Sequence, residues 1–543
     1  MDETANTRDS IKRSIDQNEN LSPLAVGDQK LQRHIGYLSG TVMNVGEIIG
    51  SGIFSNPSYI IKNTGSGGMM LILWLIGALT SVSGLLTFLE LGTMFPRSGG
   101  EKTYLGYIYP KPRQIISFLF MILVGVCTRC GTLAQASIVF GDNMIYAIYE
   151  GRQHNEWASR GFGVFCITFW IVVNILSAKK AIKFNNLFTV LKISLLVLLI
   201  CVGFAGMAGI LPDQPNLSGN FSFKGTIQSP GSYANAIYFV IYSYGGYYNL
   251  QRVTDELKDP LVNLPRCGAT SIAFTTVVYI LANCAYLAVL PLEVIKNSQV
   301  TVAASLFNAA FGGIFGSRVL PVFVGMSSFG MVGVVVYSAS RVILEFAREG
   351  HLPFDRFFGK VHPKLQTPVH AILLLYFLAL FFLLVPPPGT VFEFIMSFNT
   401  YGEYFFSTLC AVGVFILRHR EPNLRRPIKA PRVIVLFYLS VCVFAIAFVF
   451  IPPVHPPDAY PYYVPYVCWL AFAIFCTIPW YVKMVLYNGL ENSYNTEIRN
   501  QAKQSLKKDG IPNDQISKGK RPSGYSDDIV ETIDTSVKEG SFK

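Results

Sequence analysis

Twelve apolar runs separated by short polar connectors pattern the chain between residues 36 and 488. They begin near Gly36, Met69, Ile115, Phe162, Phe184, Ala234, Cys267, Leu320, Val369, Val391, Val433 and Tyr463. Each approaches or exceeds the roughly 20 residues that cross a hydrocarbon core of about 30 Å. The pattern predicts an all-α polytopic membrane protein of twelve transmembrane helices. The first and sixth runs are interrupted at their centres, by Gly50-Ser51-Gly52-Ile53 and by Ser243-Tyr244-Gly245-Gly246. In hydrocarbon a freed N–H or C=O is costly, so a broken helix persists only where protein, water or ligand satisfies it. Small residues at such places also serve close helix packing. Two breaks in corresponding positions are, in addition, the pattern of transporters built from repeats. Here the order puts the breaks in helices one and six, corresponding helices of two five-helix units, with helices eleven and twelve outside them.

The flanks differ from this core. Residues 1–35 and 489–543 are polar, lysine-bearing and without apolar periodicity, and are expected to be disordered cytosolic tails around a twelve-helix domain at 36–488. No leader pattern precedes the first run, which is expected to direct its own insertion. Basic residues cluster in alternate connectors, as at Lys102 and Lys111, Lys179 and Lys180, Arg348 and Lys360, and Arg418 to Lys429. The positive-inside rule then places both termini in the cytosol. Two sequons, at Asn216 and Asn220, fall in a connector that this topology puts outside.

Composition narrows the function classes. The 543 residues are 51% hydrophobic and 14% charged, which excludes an ordinary soluble enzyme. The net charge of +11 is assigned to cytosolic loops facing anionic lipid, and no nucleic-acid partner is implied. The ten cysteines lie almost entirely in apolar runs, so no disulfide framework is expected, and Cys127-x-x-Cys130 reads as helix packing. The histidines form no HExxH pair. No enzyme activity and no cofactor or metal site is expected.

The chemistry concentrates at the breaks. Gly50, Ser51 and Gly52, flanked by Ile49 and Ile53, open a second half-helix whose unpaired N–H groups suit a carboxylate. Ser243, Tyr244 and Gly245 end a half-helix whose unpaired carbonyls suit an ammonium group. Together they fit a zwitterionic α-amino acid without any charged pocket residue. Tyr242 adjoins the second break as a candidate aromatic gate, with Tyr238, Tyr244, Tyr247 and Tyr248 as rivals. Lys192 stands within the fifth run, where a central charge costs about 2.5–3.5 kcal/mol. It either snorkels to a cytosolic end or bonds a carbonyl of the first break in place of a coupling sodium ion. Glu47, Arg129 and Glu403 are gates, proton groups or members of buried pairs.

Four ordered motifs carry a resemblance. Gly50-Ser-Gly-Ile-Phe54 and the stretch Glu90-Leu-Gly-Thr-Met-Phe-Pro-Arg-Ser-Gly-Gly100 resemble the substrate motif and the cytosolic signature of amino acid–polyamine–organocation transporters. Ser243-Tyr-Gly-Gly-Tyr-Tyr-Asn-Leu250, with Val253 to Pro260, is similar to helix six of the L-type amino acid transporter branch, as is Leu417 to Lys429 to its later loop. The tails and the helix-one context resemble fungal high-affinity methionine permeases of the plasma membrane. The resemblance implies a twelve-helix fold with a five-plus-five inverted repeat, discontinuous helices one and six and two extra helices, substrate contacts at Gly50 to Gly52 and Ser243 to Gly245, and sodium independence through Lys192. Glu403 departs from it, standing where an amide is expected. The connector after helix three has no cysteine, so no disulfide-linked heavy chain is expected. The tail lysines are candidate sites for ubiquitin-ligase machinery.

The resulting expectation is a carrier that imports neutral L-amino acids, with methionine first, by sodium-independent proton symport with alternating access. An obligate amino acid exchanger is the alternative within transport. An amino acid sensor is the alternative of another class.

Overall fold

The computed structural model describes residues 35–482, apart from 96–99, 113, 151–154, 212–217, 253, 255–256, 349–351, 353, 364, 366, 387–390, 425 and 458–459. Apart from Ile35, which is buried and bridged to Leu257, both expected tails lie outside the described residues, as does Asn216.

The first apolar run forms two half-helices, α1 (Tyr37–Ile48) and α2 (Gly52–Thr64). Four membrane helices follow: α3 (Gly67–Met94), then, after the short connector helix α4 (Glu101–Ile108), α5 (Ile115–Tyr149), α6 (Glu156–Leu176) and α7 (Ala178–Met207). The second five open with another interrupted segment, α8 (Pro230–Tyr244) and a single turn at Asn249–Arg252. They continue with α9 (Pro260–Val289), the connector helix α10 (Val302–Phe311), α11 (Phe315–Arg348), α12 (Val369–Leu384) and α13 (Val391–Arg420). Two further helices, α14 (Arg432–Phe448) and α15 (Val464–Tyr481), lie outside the repeat.

Eight of these helices are long and apolar enough to cross a membrane, α12 and α14 are shorter apolar helices, and the two broken segments complete the twelve. The two fives match beyond their breaks. In each the third membrane helix is the longest, at 35 and 34 residues, and each carries a π-helical stretch, Met121–Thr128 in α5 and Phe315–Val319 in α11. Helices open earlier than the apolar runs, α9 at Pro260 rather than near Cys267 and α6 at Glu156 rather than near Phe162. Apolar composition marks the hydrocarbon layer, whereas backbone hydrogen bonding continues into the polar interface.

The helices pack as two groups. The half-helices α1, α2 and α8 associate with α3 and α9, while α5, α6, α11 and α12 form a second cluster. Helix α7 bridges them by packing on both α9 and α11, and α14 covers α3 and α13. Large apolar side chains face outward, among them Leu75, Leu79, Phe165, Val190, Phe377 and Phe381, as lipid contact requires.

Helix ends inside this packing are closed by side chains. Arg160, itself buried, donates to the carbonyls of Leu384 and Pro386 at 2.9 and 2.7 Å, capping α12. Asn220 donates through Nδ2 to the carbonyls of Leu287 and Leu290, both at 2.9 Å, capping α9. Buried and with its amide protons engaged, Asn220 is a structural cap rather than an open glycosylation acceptor.

Candidate functional site

The first break is built from backbone geometry. The chain leaves α1 at Ile49 (φ −75°, ψ 82°), the Gly50 amide turns back to the Ile48 carbonyl at 2.8 Å, and helix resumes at Gly52. Among the described residues the amides of Ser51, Gly52 and Ile53 have no backbone acceptor, as the first turn of a helix requires.

At the second break α8 ends on Tyr244, Gly245 is extended (φ −56°, ψ 155°), and Gly246 takes φ +101°. That left-handed conformation favours glycine, and a Cβ on Gly246 would lie 2.9 Å from Glu47 Cγ. The Gly245 amide returns to the Tyr242 carbonyl at 3.0 Å.

The fold brings the breaks into contact. A Cβ on Gly52 would stand 2.8 Å from the Ser243 Cα, so only the missing side chain lets the two backbones approach this closely. Asn56 Nδ2 donates to the Phe239 carbonyl and to Ser243 Oγ, each at 2.8 Å. Ser51 Oγ and the Tyr242 hydroxyl face each other across the junction at 3.5 Å, a contact rather than a strong hydrogen bond.

Two side chains from neighbouring helices fasten the junction. Lys192 of α7 is buried and donates from Nζ to the Gly46 and Ile49 carbonyls at 2.8 and 2.9 Å. This excludes snorkelling and places the ammonium against the first break. Tyr279 of α9 directs its hydroxyl at the Ile48 carbonyl (2.8 Å) and the Ser243 carbonyl (3.0 Å), touching both breaks at once. Tyr286, two turns on, donates to the Ile53 carbonyl at 3.1 Å.

Tyr279 therefore revises the expectation of open carbonyls at the second break. The Ser243 carbonyl is engaged by Tyr279 and that of Tyr242 by Gly245, which leaves Ile241 and Tyr244 without a backbone donor among the described residues. The Tyr244 side chain points away from the junction, between Trp74 and Tyr279 at centroid distances of 5.8 and 5.1 Å. Tyr242 is the tyrosine that faces Ser51.

The remaining buried charges also find partners. Glu47 pairs with Arg129 at 3.5 Å, joining α1 to α5 beside Gly246. Glu403 accepts from the Tyr248 hydroxyl at 3.0 Å, which ties α13 to the second break. Lys192 and Glu403 thus attach to different breaks. Sequence reasoning missed Tyr279, Tyr286 and Asn56. Polar groups in apolar helices were the signal, but their partners depend on helix rotation.

The amino acid permease family model matches residues 35–475, a span that contains both breaks, Lys192 and Glu403. The chain belongs to this family. The permease is 30% identical over 455 residues to the high-affinity methionine permease of Saccharomyces cerevisiae, covering 82% of this chain and 77% of that one. It is 31% identical over 464 residues to the low-affinity methionine permease of the same yeast, covering 84% and 83%. The mouse b(0,+)-type amino acid transporter 1 is similar at 30% identity over 448 residues, covering 80% and 86%. The permease is a multi-pass membrane transporter of amino acids, not an enzyme.

Proposed function

We propose that this permease imports neutral L-amino acids, methionine foremost, through the junction of the two breaks by sodium-independent proton symport. The observation that carries the reading is the contact of Gly52 with Ser243, which sets the unpaired amides of one half-helix beside the carbonyl end of another. The amides of Ser51, Gly52 and Ile53 hold the carboxylate, and the Ile241 and Tyr244 carbonyls hold the ammonium group. Ile49, Gly50, Ser243 and Gly245 shape the walls, and Tyr242 closes over the bound molecule. Lys192, with its Nζ on two carbonyls of the first break, occupies the place of a coupling cation. Glu403 couples the second break to α13 through Tyr248. Similarity to two methionine permeases supports methionine as the leading substrate.

The same reading places the permease in the plasma membrane with both termini cytosolic, 1–35 and 489–543 as disordered tails open to ubiquitin-ligase machinery, and no disulfide-linked heavy chain. Uptake of labelled methionine into empty proteoliposomes tests the coupling. A pH gradient drives accumulation, sodium replacement leaves it unchanged, and Lys192→Ala abolishes it. Dependence on preloaded amino acid establishes the exchanger instead, and binding without flux establishes a sensor.

A further inference from the structure

Phe354 is the most exposed large apolar side chain among the described residues, at 80%, and it belongs to no spanning helix. It precedes a single helical turn, Asp355–Phe358, in the connector that joins α11 to α12. Its backbone is left-handed (φ +56°), a conformation that a bulky residue rarely adopts. The Phe354 carbonyl accepts from the amides of Phe357 and Phe358 at 2.8 and 3.2 Å, so the strained residue is part of the turn and not a loose end. Phe357 is 52% exposed, and Lys360 just beyond the turn is exposed as well.

The turn lies at the foot of α12. The Phe357 ring meets the His370 ring at a centroid distance of 4.1 Å, and His370 is the second residue of that helix. From His370 the same helix face continues through Leu373, Phe377 and Phe381, all exposed as lipid-facing side chains are. Thr367 Oγ1 donates to the Ile175 carbonyl at 2.9 Å, which pins the connector to the end of α6. With 16 residues α12 is about 24 Å long, short of a hydrocarbon core of about 30 Å. A span that short either thins the bilayer or is extended by flanking side chains. Phe354 and Phe357 stand at one end of it.

We infer that Phe354 and Phe357 form an interfacial anchor whose rings enter the hydrocarbon edge of the leaflet at the start of α12, while Lys360 stays among the lipid phosphates. The partner is the bilayer and not a soluble protein, because the aromatic pair continues the lipid-facing stripe of α12 and supplies the length that this helix lacks. The anchor sets the depth of the α11–α12 connector. It thereby sets the level at which α11 holds Met331 against Gly50.

Tryptophan fluorescence of the full chain in phosphatidylcholine vesicles tests this. Phe354→Trp and Phe357→Trp are each compared with the unsubstituted protein, whose five tryptophans give the background to subtract. Lipids brominated near the head of the acyl chain are expected to quench the added signal more than lipids brominated near its end, and iodide to leave it unchanged, as for a ring about 5–10 Å deep. In the double variant Phe354→Ser, Phe357→Ser, the acyl-chain length that gives the highest Tm in vesicles shifts to shorter chains, because α12 loses its extension. Quenching by iodide but not by the brominated lipids, in either tryptophan variant that folds, overturns the inference and returns the pair to water or to a soluble partner. An unshifted chain-length optimum overturns it as well. Neither measurement involves an amino acid, so failure here leaves the transport reading untouched.

Discussion

Gly50 and Gly52 are two residues apart in one motif, yet they meet different neighbours. A Cβ on Gly50 would fall 2.6 Å from Met331 Sδ, near the end of a flexible side chain that can turn away. A Cβ on Gly52 would meet the Ser243 backbone, which cannot move without separating α2 from α8. Overpacking of that kind costs about 1–3 kcal/mol, so Gly52→Ala is expected to lower uptake by about tenfold or more, and Gly50→Ala by less. Initial rates of methionine uptake, normalised to protein in the membrane, check the order of the two. Both glycines were legible in the sequence, since glycine interrupting an apolar run signals a broken helix. The difference between them was not, because it depends on which residue of a distant helix stands opposite. Lys192 was legible for the same reason as the glycines, a charge in an apolar run, whereas Tyr279 was one tyrosine among 28.

At the scale of elements, α2 and α8 are joined along their length. Asn56 bonds Ser243, Tyr59 stacks on Phe239, and Asn235 Nδ2 donates to Asn63 Oδ1 at 3.3 Å. These rungs recur every three or four residues, the spacing that keeps contacts on one helix face. The pair is expected to move as one body. Cysteines replacing Asn63 and Asn235, joined by a short bifunctional thiol reagent, should leave at least about half of the uptake, because rungs this regular make the two helices one packed unit. Loss of uptake on cross-linking would mean that the helices separate during transport. This ladder was not legible in advance: the asparagines were visible, but α2 and α8 lie in different halves of the repeat and share no local pattern.

For the whole molecule, a buried ionic knot joins the halves. Glu90, near the end of α3, is 1% exposed; it accepts from Arg418 Nε at 2.9 Å and from the Ala430 amide at 2.8 Å, with Arg426 Nε at 3.6 Å. Arg420 meanwhile donates to the Ile108 and Tyr107 carbonyls, each at 3.1 Å, and Tyr107 donates to Glu421 at 2.7 Å. Two motifs quoted separately from the sequence, Glu90 to Gly100 and Leu417 to Lys429, therefore act together. Each was visible as charge beside an apolar run, but their pairing spans 328 residues and follows only from the packing of α13 and α14 on α3. Removing one partner of a buried pair costs about 3–5 kcal/mol. Glu90→Gln is thus expected to lower thermal stability and folded yield sharply, and size-exclusion of the solubilised protein before and after heating measures both. Twelve spans and their breaks could be read from composition, while the knot belongs to tertiary structure alone.

The ladder between α2 and α8 has a mechanical consequence. A half-helix of 13 residues is a lever arm of about 20 Å, so tilting it by about 10° at its inner end swings the outer end by roughly 3 Å. Because the rungs keep the two arms together, the fulcrum is confined to Ile49 to Ser51 and to Gly245 and Gly246. In the proposed site, the atoms that would meet the cargo are also those about which the arms would pivot. A cargo of the wrong size sets the wrong angle, so selectivity should appear in the rate of turnover as strongly as in affinity.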